Sequence, residues 1–241
     1  MQKSHRSSDS LLAFRAIRLS RLFSAWPEEL AREVSARARI IRAAAGDKFV
    51  RQGQVLEGLY VIVSGCVEIG SDRSDGRRYV RRYAEPGYIF GFPSIFDGKG
   101  TSFFYVAHQA TQLVLVQKSV FLSILERHPQ LWRSVVREVV GNQRLVLSAI
   151  EEWMFEGLRV RLTRLLVSLA TAFGTRETAG TAIQIRLTKD DLGDLLGVTR
   201  QSVSKELRRL EREGLVISAY GRLTLIDQAA LGRIANSPAQ D

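Results

Sequence analysis

Apolar positions recur with different periods along the chain, and each period predicts a different kind of element. Residues 11–43 repeat apolar side chains at roughly helical spacing, and Pro27 opens a second helix within this stretch. From Gly46 onward, short β-branched or aromatic runs are separated by turn residues, which is typical of a sandwich, jelly roll or barrel. The predicted strands are 48–51, 59–63, 67–69, 79–83 and 113–116, with Asp75-Gly76 as a hairpin turn.

A second helical region follows the strands. Residues 121–127 form a short predicted helix that ends at His128-Pro129, and residues 130–156 then continue without proline. Two adjacent apolar stripes run along this long segment, and a helix must bury both. We expect one stripe to pack on the strands and the other to form a coiled-coil seam with a second copy of the chain, the alternative being a helix buried within one monomer. The predicted dimer residues are Val135, Val139, Asn142, Val146, Ala149 and Trp153.

Beyond Gly157 the pattern predicts a helix at residues 158–173. Residues 174–182 are rich in Gly, Thr and Ala and are expected to form a connector. Residues 183–187 alternate apolar and polar side chains, which favours a short strand.

Two consecutive short helices are predicted between residues 188 and 214. Thr188 can N-cap the first helix, and Gly197 can end it in the left-handed conformation. Thr199 can N-cap the second helix, and Gly214 ends it. The short turn between them predicts a helix-turn-helix. Its inner faces would be formed by Leu192, Leu196, Val198, Val203, Leu207 and Leu210.

Charge makes this segment a candidate for DNA binding. The chain carries 35 Lys and Arg against 25 Asp and Glu, a net charge of +10 that favours a polyanionic partner. The first of the two helices is acidic, whereas the outer face of the second is basic. Arg200 can pair bidentately with guanine and Gln201 with adenine, while hydroxyls and later basic side chains suit phosphates. A hairpin after Gly214 would form a wing with Arg222 at its tip. The predicted DNA-binding residues are Thr188, Lys189, Thr199, Arg200, Gln201, Ser202, Ser204, Lys205, Arg208, Arg209 and Arg222.

With these motifs, the chain resembles the Crp–Fnr (cyclic-AMP receptor/fumarate-nitrate regulator) family of bacterial transcription factors. The resemblance covers nearly the whole chain and rests on Gly46-Asp47, Gln52-Gly53, residues 59–65, Pro86-Gly87, Phe90-Gly91 and residues 187–215. It implies an α+β chain with an N-terminal cyclic-nucleotide-binding-like β jelly roll, a long dimerisation helix and a C-terminal winged helix-turn-helix. The implied segments are N-terminal helices at 1–45, the barrel sensor domain at 46–128, the dimerisation helix at 129–156 and the DNA-binding domain at 157–241.

The same resemblance implies a function. The chain would be a dimeric, sequence-specific DNA-binding transcription regulator and not an enzyme, with double-stranded DNA and a second copy as partners and RNA polymerase as a candidate partner. In the family, the residues that read DNA match Arg200, Gln201 and Lys205. Family members often have Glu at the position of Gln201 and Arg at that of Lys205, so the preferred DNA sequence does not transfer.

The family's cyclic-nucleotide cassette is incomplete in this chain. Its Gly-Glu pair, which binds the ribose, reads Gly91-Phe92 here, and its Arg-Ser/Thr pair, which binds the phosphate, reads Thr101-Ser102. An unpaired phosphate in an apolar pocket is costly, so we predict weak or absent cyclic-AMP binding, with Lys99 as the one substitute charge. The effector is unknown, and no cofactor is predicted. The candidate effector pocket comprises Gly91, Phe92, Thr101, Ser102, Val146 and Leu147; the aromatic residues Phe90, Phe92, Phe96, Phe103, Phe104 and Tyr105 either line an apolar pocket or fill the barrel core.

Other chemistry is thinly represented. A single cysteine excludes an intramolecular disulfide, and Cys66 is expected to be a buried thiol, with a redox sensor as the alternative. The three histidines lie far apart, so no metal site is predicted; His108 or His128 as a haem ligand is an alternative. No apolar run reaches membrane-spanning length, so we expect no membrane partner and a cytoplasmic location.

Three further possibilities stay open from the sequence. A cyclic-nucleotide-responsive regulator of the same fold and a sensor that acts through protein contacts are the alternatives to the main reading. A metal-dependent cupin-type enzyme would need clustered histidines that the chain lacks.

Four arginines lie close together on the predicted hairpin: Arg77, Arg78, Arg81 and Arg82. We expect them to form a solvated face, and contact with flanking DNA or with a partner is the alternative.

Overall fold

The computed structural model describes residues 2–74, 78–219 and 221–237 of the chain. It divides into two compact units, residues 1–143 and residues 144–241. Within the described residues, no helix combines the length and the apolar character that crossing a membrane requires.

The first unit opens with helices packed outside a β-structure. They are α1 (Gln2–Leu19), α2 (Arg21–Ser24) and α3 (Glu28–Arg37). Ser20 N-caps α2, since its hydroxyl accepts the backbone N–H of Phe23. Pro27 precedes α3, where a missing N–H costs nothing. Arg18 ties the connection together by donating to the carbonyl oxygens of Phe23, at 3.3 Å, and Trp26, at 2.9 Å.

The helical prediction for residues 11–43 is wrong over its last part. Residues Arg39–Ala43 form strand β1, in which Ile40 lies opposite Val114 and Ile41 opposite Leu113. The two β-branched side chains suit a pleated surface, and the pairing partner lies far along the chain where local spacing carries no information about it. The jelly roll therefore begins at Arg39, ahead of the predicted boundary at residue 46.

Two four-stranded antiparallel sheets form the jelly roll. The remaining strands are β2 (Lys48–Val50), β3 (Gly58–Ser64), β4 (Val67–Asp72), β5 (Arg78–Ala84), β6 (Ile89–Phe90), β7 (Phe104–Ala107) and β8 (Thr111–Gln117). The sheets have the orders β1-β8-β3-β6 and β2-β7-β4-β5. The five predicted strands are confirmed, whereas β6 and β7 were missed. The predicted turn residues Asp75-Gly76 lie outside the described residues.

Alternate residues of β3 enter two different cores. Leu59 and Val61 pack against the N-terminal helices, whereas Tyr60 and Ile62 point into the space between the two sheets. Because both faces of the strand are buried, it appears in the sequence as a continuous apolar run.

The end of the first unit is helical, as predicted. Helix α4 (Phe92–Asp97) follows β6, and α5 (Lys118–Arg127) ends ahead of His128-Pro129. A short 3₁₀ turn, Pro129–Leu131, then leads into the long helix α6 (Trp132–Phe155), which crosses the boundary into the second unit.

The second unit is a winged helix with a four-stranded sheet. Its elements are α7 (Leu158–Phe173), β9 (Gly174–Glu177), β10 (Gly180–Ile183), α8 (Lys189–Leu196), α9 (Arg200–Arg212), β11 (Val216–Ala219), β12 (Arg222–Leu225) and α10 (Gln228–Ala235). The sheet order is β11-β12-β10-β9.

The sequence interpretation of residues 174–187 needs correction. The expected connector forms the hairpin β9–β10, and the strand placed at 183–187 lies earlier, at Gly180–Ile183. Gly180 has φ +142°, and a Cβ there would lie 2.2 Å from the carbonyl oxygen of Leu225. The glycine that looked like linker composition thus allows close strand packing.

Candidate nucleic-acid interface

The helix-turn-helix has both of its predicted N-caps. The Thr188 hydroxyl accepts the N–H of Asp191 at 3.1 Å, and the Asp191 carboxylate accepts the N–H of Thr188 at 2.7 Å, which completes a capping box on α8. Gly197 ends α8 with φ +66°. Thr199 caps α9 by accepting the N–H of Ser202 at 3.2 Å. The hydroxyls of Thr188 and Thr199, predicted to contact DNA, are therefore engaged in helix capping.

The two helices meet across a small residue and an apolar corner. A Cβ at Gly193 would lie 2.8 Å from the carbonyl oxygen of Val198, so a larger residue would push the turn away. Val198 itself is half-buried. The corner is closed by the buried side chains Leu192, Leu196, Val203, Leu207 and Leu210. This packing confirms the predicted inner faces and determines which face of α9 is turned outward.

The outward face of α9 is polar and basic. Arg200, Gln201, Lys205, Arg208 and Arg209 are exposed, and Ser202 and Ser204 are half-buried. A surface depression of about 410 Å³ on this face is lined by Gln201, Ser204, Lys205, Arg208 and Arg212. No acidic side chain among the described residues lines it, so its lining suits a polyanion. Arg212 was not among the predicted contacts.

Several of the interface cations have acidic partners in the free chain. The pairs are Arg200–Asp190 at 3.5 Å, Arg209–Glu213 at 3.7 Å and Arg222–Glu177. Exposed pairs of this kind contribute about 0–1 kcal/mol, so a phosphate or a base edge can replace the carboxylate at small cost. Lys189 donates from its Nζ to the Ser204 hydroxyl at 3.4 Å, which places the N-terminus of α8 beside α9.

Helix α9 is held in place by a residue that sequence reasoning missed. Arg159 of α7 donates to Glu206 at 3.1 Å and also to Glu213. The hydrogen bond from Arg159 lowers the pKa of Glu213, and the same bond, with the one to Glu206, raises the pKa of Arg159. The partners lie 47 and 54 positions apart, so no local pattern could reveal them.

Arg161 and Arg164 extend this support. Arg161 donates to the carbonyl oxygen of Leu196 at the end of α8. Arg164 reaches back across Gly157, the predicted break in the long helix, to the carboxylates of Glu152 and Glu156. These contacts link the C-terminal end of α6 to the body of the winged helix.

The wing is confirmed as the hairpin β11–β12. Gly221 turns with φ +75°, Arg222 begins β12, and Tyr220 lies outside the described residues. Arg222 is exposed and pairs with Glu177 of β9. The hairpin β9–β10, which the sequence did not predict, therefore contacts the wing hairpin β11–β12 through this ion pair.

The apolar surface of α6 differs from the predicted seam at one end. Val135 is only 2% exposed because it belongs to the core of the first unit, so it is not available to a second copy and its assignment to the seam is wrong. Val139, Val146 and Trp153 are exposed, as are Val136, Val140, Leu147, Ile150 and Met154 of the other stripe. Asn142 is half-buried and Ala149 is exposed.

The cassette residues are engaged inside the first unit. Gly91 has φ +112°, and Phe92 is buried among the N-terminal helices rather than between the sheets. The hydroxyl of Thr101 accepts the N–H of Phe103 at 3.2 Å, and Ser102 is exposed. Val146 and Leu147 belong to the other unit, so their part in an effector pocket stays a prediction.

The aromatic residues near the cassette have separate roles. Phe90 stacks between Tyr60, at a ring distance of 5.1 Å, and Tyr105, at 4.2 Å, in the space between the sheets. Phe104 is buried under Lys48 and Arg78, whereas Phe96 is 43% exposed beside Trp132. The six aromatics therefore do not line one common pocket.

The expectation of a solvated arginine face on β5 holds only for Arg78, which is exposed, whereas Arg81 and Arg82 are half-buried. Arg78 lies over the ring of Phe104 and pairs with Glu68, which is 7% exposed. Arg81 and Arg82 also lie over aromatic rings. Arg77 lies outside the described residues.

Cys66 is a fully buried thiol whose pKa is raised by burial, as expected for a structural cysteine. His108 packs edge-on against Tyr83 at a ring distance of 4.7 Å. Among the described residues, no group of three or more His, Cys, Asp or Glu side chains is arranged to hold a metal ion.

Comparisons with known proteins agree with this architecture. Residues 40–128 match the cyclic nucleotide-binding domain, and residues 160–234 match the Crp-like helix-turn-helix domain. The chain is 32% identical over 201 residues to the transcriptional regulator LdrP of Thermus thermophilus, an alignment that covers 81% of this chain and 96% of the relative. It is 26% identical over 186 residues to the CRP-like cAMP-activated global transcriptional regulator of Mycobacterium tuberculosis, covering 74% of this chain and 83% of the relative. FixK2 from Bradyrhizobium japonicum shares the fold, with a TM-score of 0.74 at 21% identity over 84% of this chain and 99% of that structure.

A jelly roll, a long helix and a winged helix-turn-helix with a basic outer face define a class, the DNA-binding transcription regulators. Within that class, the chain belongs to the Crp–Fnr family, as its motifs predicted.

Proposed function

We propose that the chain acts as a homodimer that binds a near-palindromic DNA site with two half-sites. The outward face of α9 carries this proposal, since Arg200 and Gln201 stand exposed at the helix N-terminus, where the recognition helix of a helix-turn-helix reads base edges. Arg208 and Arg209, further along the helix, suit phosphates.

The apolar surface of α6 supports a second copy as the partner. Val136, Leu147, Ile150, Trp153 and Met154 are each exposed by about half or more in the single chain. Apolar side chains that continue over several helical turns are typical of a parallel helix pair, and the half-buried Asn142, in the adjacent stripe between Val139 and Val146, would set the register. A two-fold axis along α6 would also provide the two recognition helices that a palindrome needs.

Selection of bound sequences from random DNA tests this proposal. The expected result is a two-fold symmetric site with half-site centres about 34 Å apart. Ile150→Glu places a charge on the apolar stripe and should give monomers in sedimentation analysis and weak DNA binding, whereas the control Arg144→Glu, on an exposed position of the same helix, should stay dimeric. Selected sequences without symmetry would contradict the dimer, and no selected sequence at all would favour a sensor that acts through protein contacts.

We also propose that cyclic AMP is not the effector, although one relative is named as cAMP-activated. Phe92 offers no acceptor to a ribose, and the hydroxyl of Thr101 is used within the loop. Calorimetric titration with cyclic AMP should show no saturable binding, and tight binding would restore the cyclic-nucleotide-responsive alternative. RNA polymerase as a partner and a cytoplasmic location follow from a DNA target and remain expectations.

A further inference from the structure

An acidic residue of α8 contacts Arg200, the first residue of α9 and the side chain proposed to read a base. This residue is Asp190, the second residue of α8. The Nη1 atom of Arg200 donates to Oδ2 of Asp190 at 3.5 Å, and the two side chains are 66% and 63% exposed. A carboxylate therefore lies at the place where the proposed DNA contact begins.

The carboxylate of Asp190 takes no part in capping α8. The capping box is formed by Thr188 and Asp191, which exchange hydrogen bonds with each other. A negative charge in the first turn also interacts favourably with the helix dipole, but that interaction needs no partner on α9. The contact with Arg200 is therefore a separate feature of Asp190.

The start of α8 lies along the face of α9 that carries Arg200. Next to Asp190, the Nζ atom of Lys189 donates to the hydroxyl of Ser204 at 3.4 Å. Ser204 lies four positions after Arg200, so the two side chains share one face of α9. Two consecutive residues of α8 thus contact α9 one helical turn apart. The buried corner between the helices fixes the backbone positions that allow both contacts.

The charge of Asp190 opposes binding to the DNA backbone. The first helix of a helix-turn-helix crosses the backbone, and a carboxylate on it repels the phosphates. This repulsion lowers the affinity for every sequence by a similar amount. Such a charge improves discrimination when it also favours the contact with the correct base, because specificity is a difference between affinities.

We propose that Asp190 is a positioning residue that orients Arg200 toward the edge of a guanine and thereby sets the base preference of α9. Its contact uses one N–H of Nη1 and leaves the other donors of the guanidinium for O6 and N7 of the base. A side chain that is already oriented loses less conformational freedom on binding. This role rests on the proposed function, since it requires that α9 reads bases.

Selection of bound sequences from random DNA tests this role. Comparison of the native protein with Arg200→Ala first identifies the base position that depends on Arg200. Asp190→Asn removes the charge at almost constant size and should lower the preference at that position by about twofold to fivefold, as expected for loss of an exposed ion pair. Its binding to unrelated DNA at low salt should become tighter. A purely structural role of Asp190 would instead weaken both kinds of binding.

The matched control is Glu177→Gln, which removes the carboxylate that pairs with Arg222 of the wing. This change should also tighten binding to all DNA, because it removes a negative charge beside a predicted phosphate contact. It should leave the base preference at the Arg200-dependent position unchanged. Thermal unfolding of both variants would show that they still fold.

A double variant separates orientation of Arg200 from the general effect of charge. In Arg200→Ala, the additional change Asp190→Asn should still tighten binding to unrelated DNA and should leave the remaining base preferences unaltered. Altered preferences in this background would overturn the proposal, because Asp190 would then act without Arg200. A native-like preference in Asp190→Asn alone would also overturn it.

Failure of the proposed function gives a different result. If the native protein selects no sequence, sequence-specific DNA binding fails, and the role of Asp190 fails with it. If the native protein selects a clear site and Asp190→Asn selects the same site with the same preference, only the role of Asp190 is wrong.

Discussion

The recognition helix and the barrel cassette both match family motifs, but they differ in the binding groups that they present. The helix presents basic side chains for DNA, whereas the cassette lacks the groups that bind a cyclic nucleotide. Helix α9 keeps capped ends, a buried inner face and a basic outer face that includes Arg200 and Lys205. In the cassette, Phe92 is turned into the helix-packed core and the Thr101 hydroxyl bonds within its own loop. DNA contacts need only an outward face, whereas a ligand site needs an unfilled interior. The interior here is occupied by the stack of Tyr60, Phe90 and Tyr105.

The largest expected effect is a loss of stability when the aromatic stack in the barrel is removed. Phe90 is 5% exposed and stacks on two tyrosines, so Phe90→Ala should lower the free energy of unfolding by about 3–5 kcal/mol. Chemical denaturation measures this change. Phe96→Ala, at a 43% exposed site, is the matched control and should cost much less. Equal costs would mean that the stack is not a packed core.

The next effect concerns base reading by α9. Arg200→Ala should reduce discrimination between the selected site and a mutated one by about 1–3 kcal/mol, because a bidentate contact to a base is lost. Arg208→Ala should weaken binding to all sequences alike and make the salt dependence less steep. Competition binding at several salt concentrations separates the two. Unchanged sequence preference in Arg200→Ala would contradict the assignment of the recognition helix.

A smaller effect tests the capping that aims this helix. Thr199→Ala removes the acceptor for the N–H of Ser202 and should destabilise the winged helix by about 1 kcal/mol. The same change at Thr171, an exposed position within α7, removes no cap and should cost less. Thermal denaturation of the two variants provides the comparison, and an equal loss at both positions would argue against a specific capping role.

The smallest effect is an acid dependence of the contact between α7 and α9. Arg159 lowers the pKa of Glu213 below its ordinary value of 4.5, so the ionised form is favoured in the folded state. The stability that this pair contributes is present above pH 4.5 and is lost as the pH falls through the lower folded-state value. Arg159→Met should flatten this part of the stability profile, measured by denaturation between pH 6 and the acid limit of about 3. An identical profile in the variant would show that the pair contributes nothing measurable.

Much of the helix-turn-helix architecture could be predicted because its determinants are local. A capping box joins residues three positions apart, and the apolar corner follows helical spacing from Leu192 to Leu210. The residues that hold the face in place could not be predicted in the same way. Arg159 reaches carboxylates on a helix that lies far along the chain, and Glu177 reaches Arg222 from a hairpin that resembled a connector.

The barrel was harder to interpret at its edges for a related reason. Residues 39–43 carry a helix-like spacing but pair with β8, and Val135 carries the spacing of the seam but fills the core of its own unit. In each case a contact between segments that are distant in the chain, which local spacing does not encode, determined where the residues lie.

Periodicity, capping residues and the sorting of charge are enough to predict a region of many short strands followed by a winged helix-turn-helix, because these signals act over a few residues; the family resemblance narrowed the strand region to a jelly roll. The tertiary structure alone determined which side chains form hydrogen bonds, ion pairs and ring contacts with one another. The β-bulge that brings Arg81 and Arg82 onto one core, and the ring stack that fills the barrel, depend on strand register and close packing. Register and packing join residues that are distant in the chain, so no short window of sequence contains them.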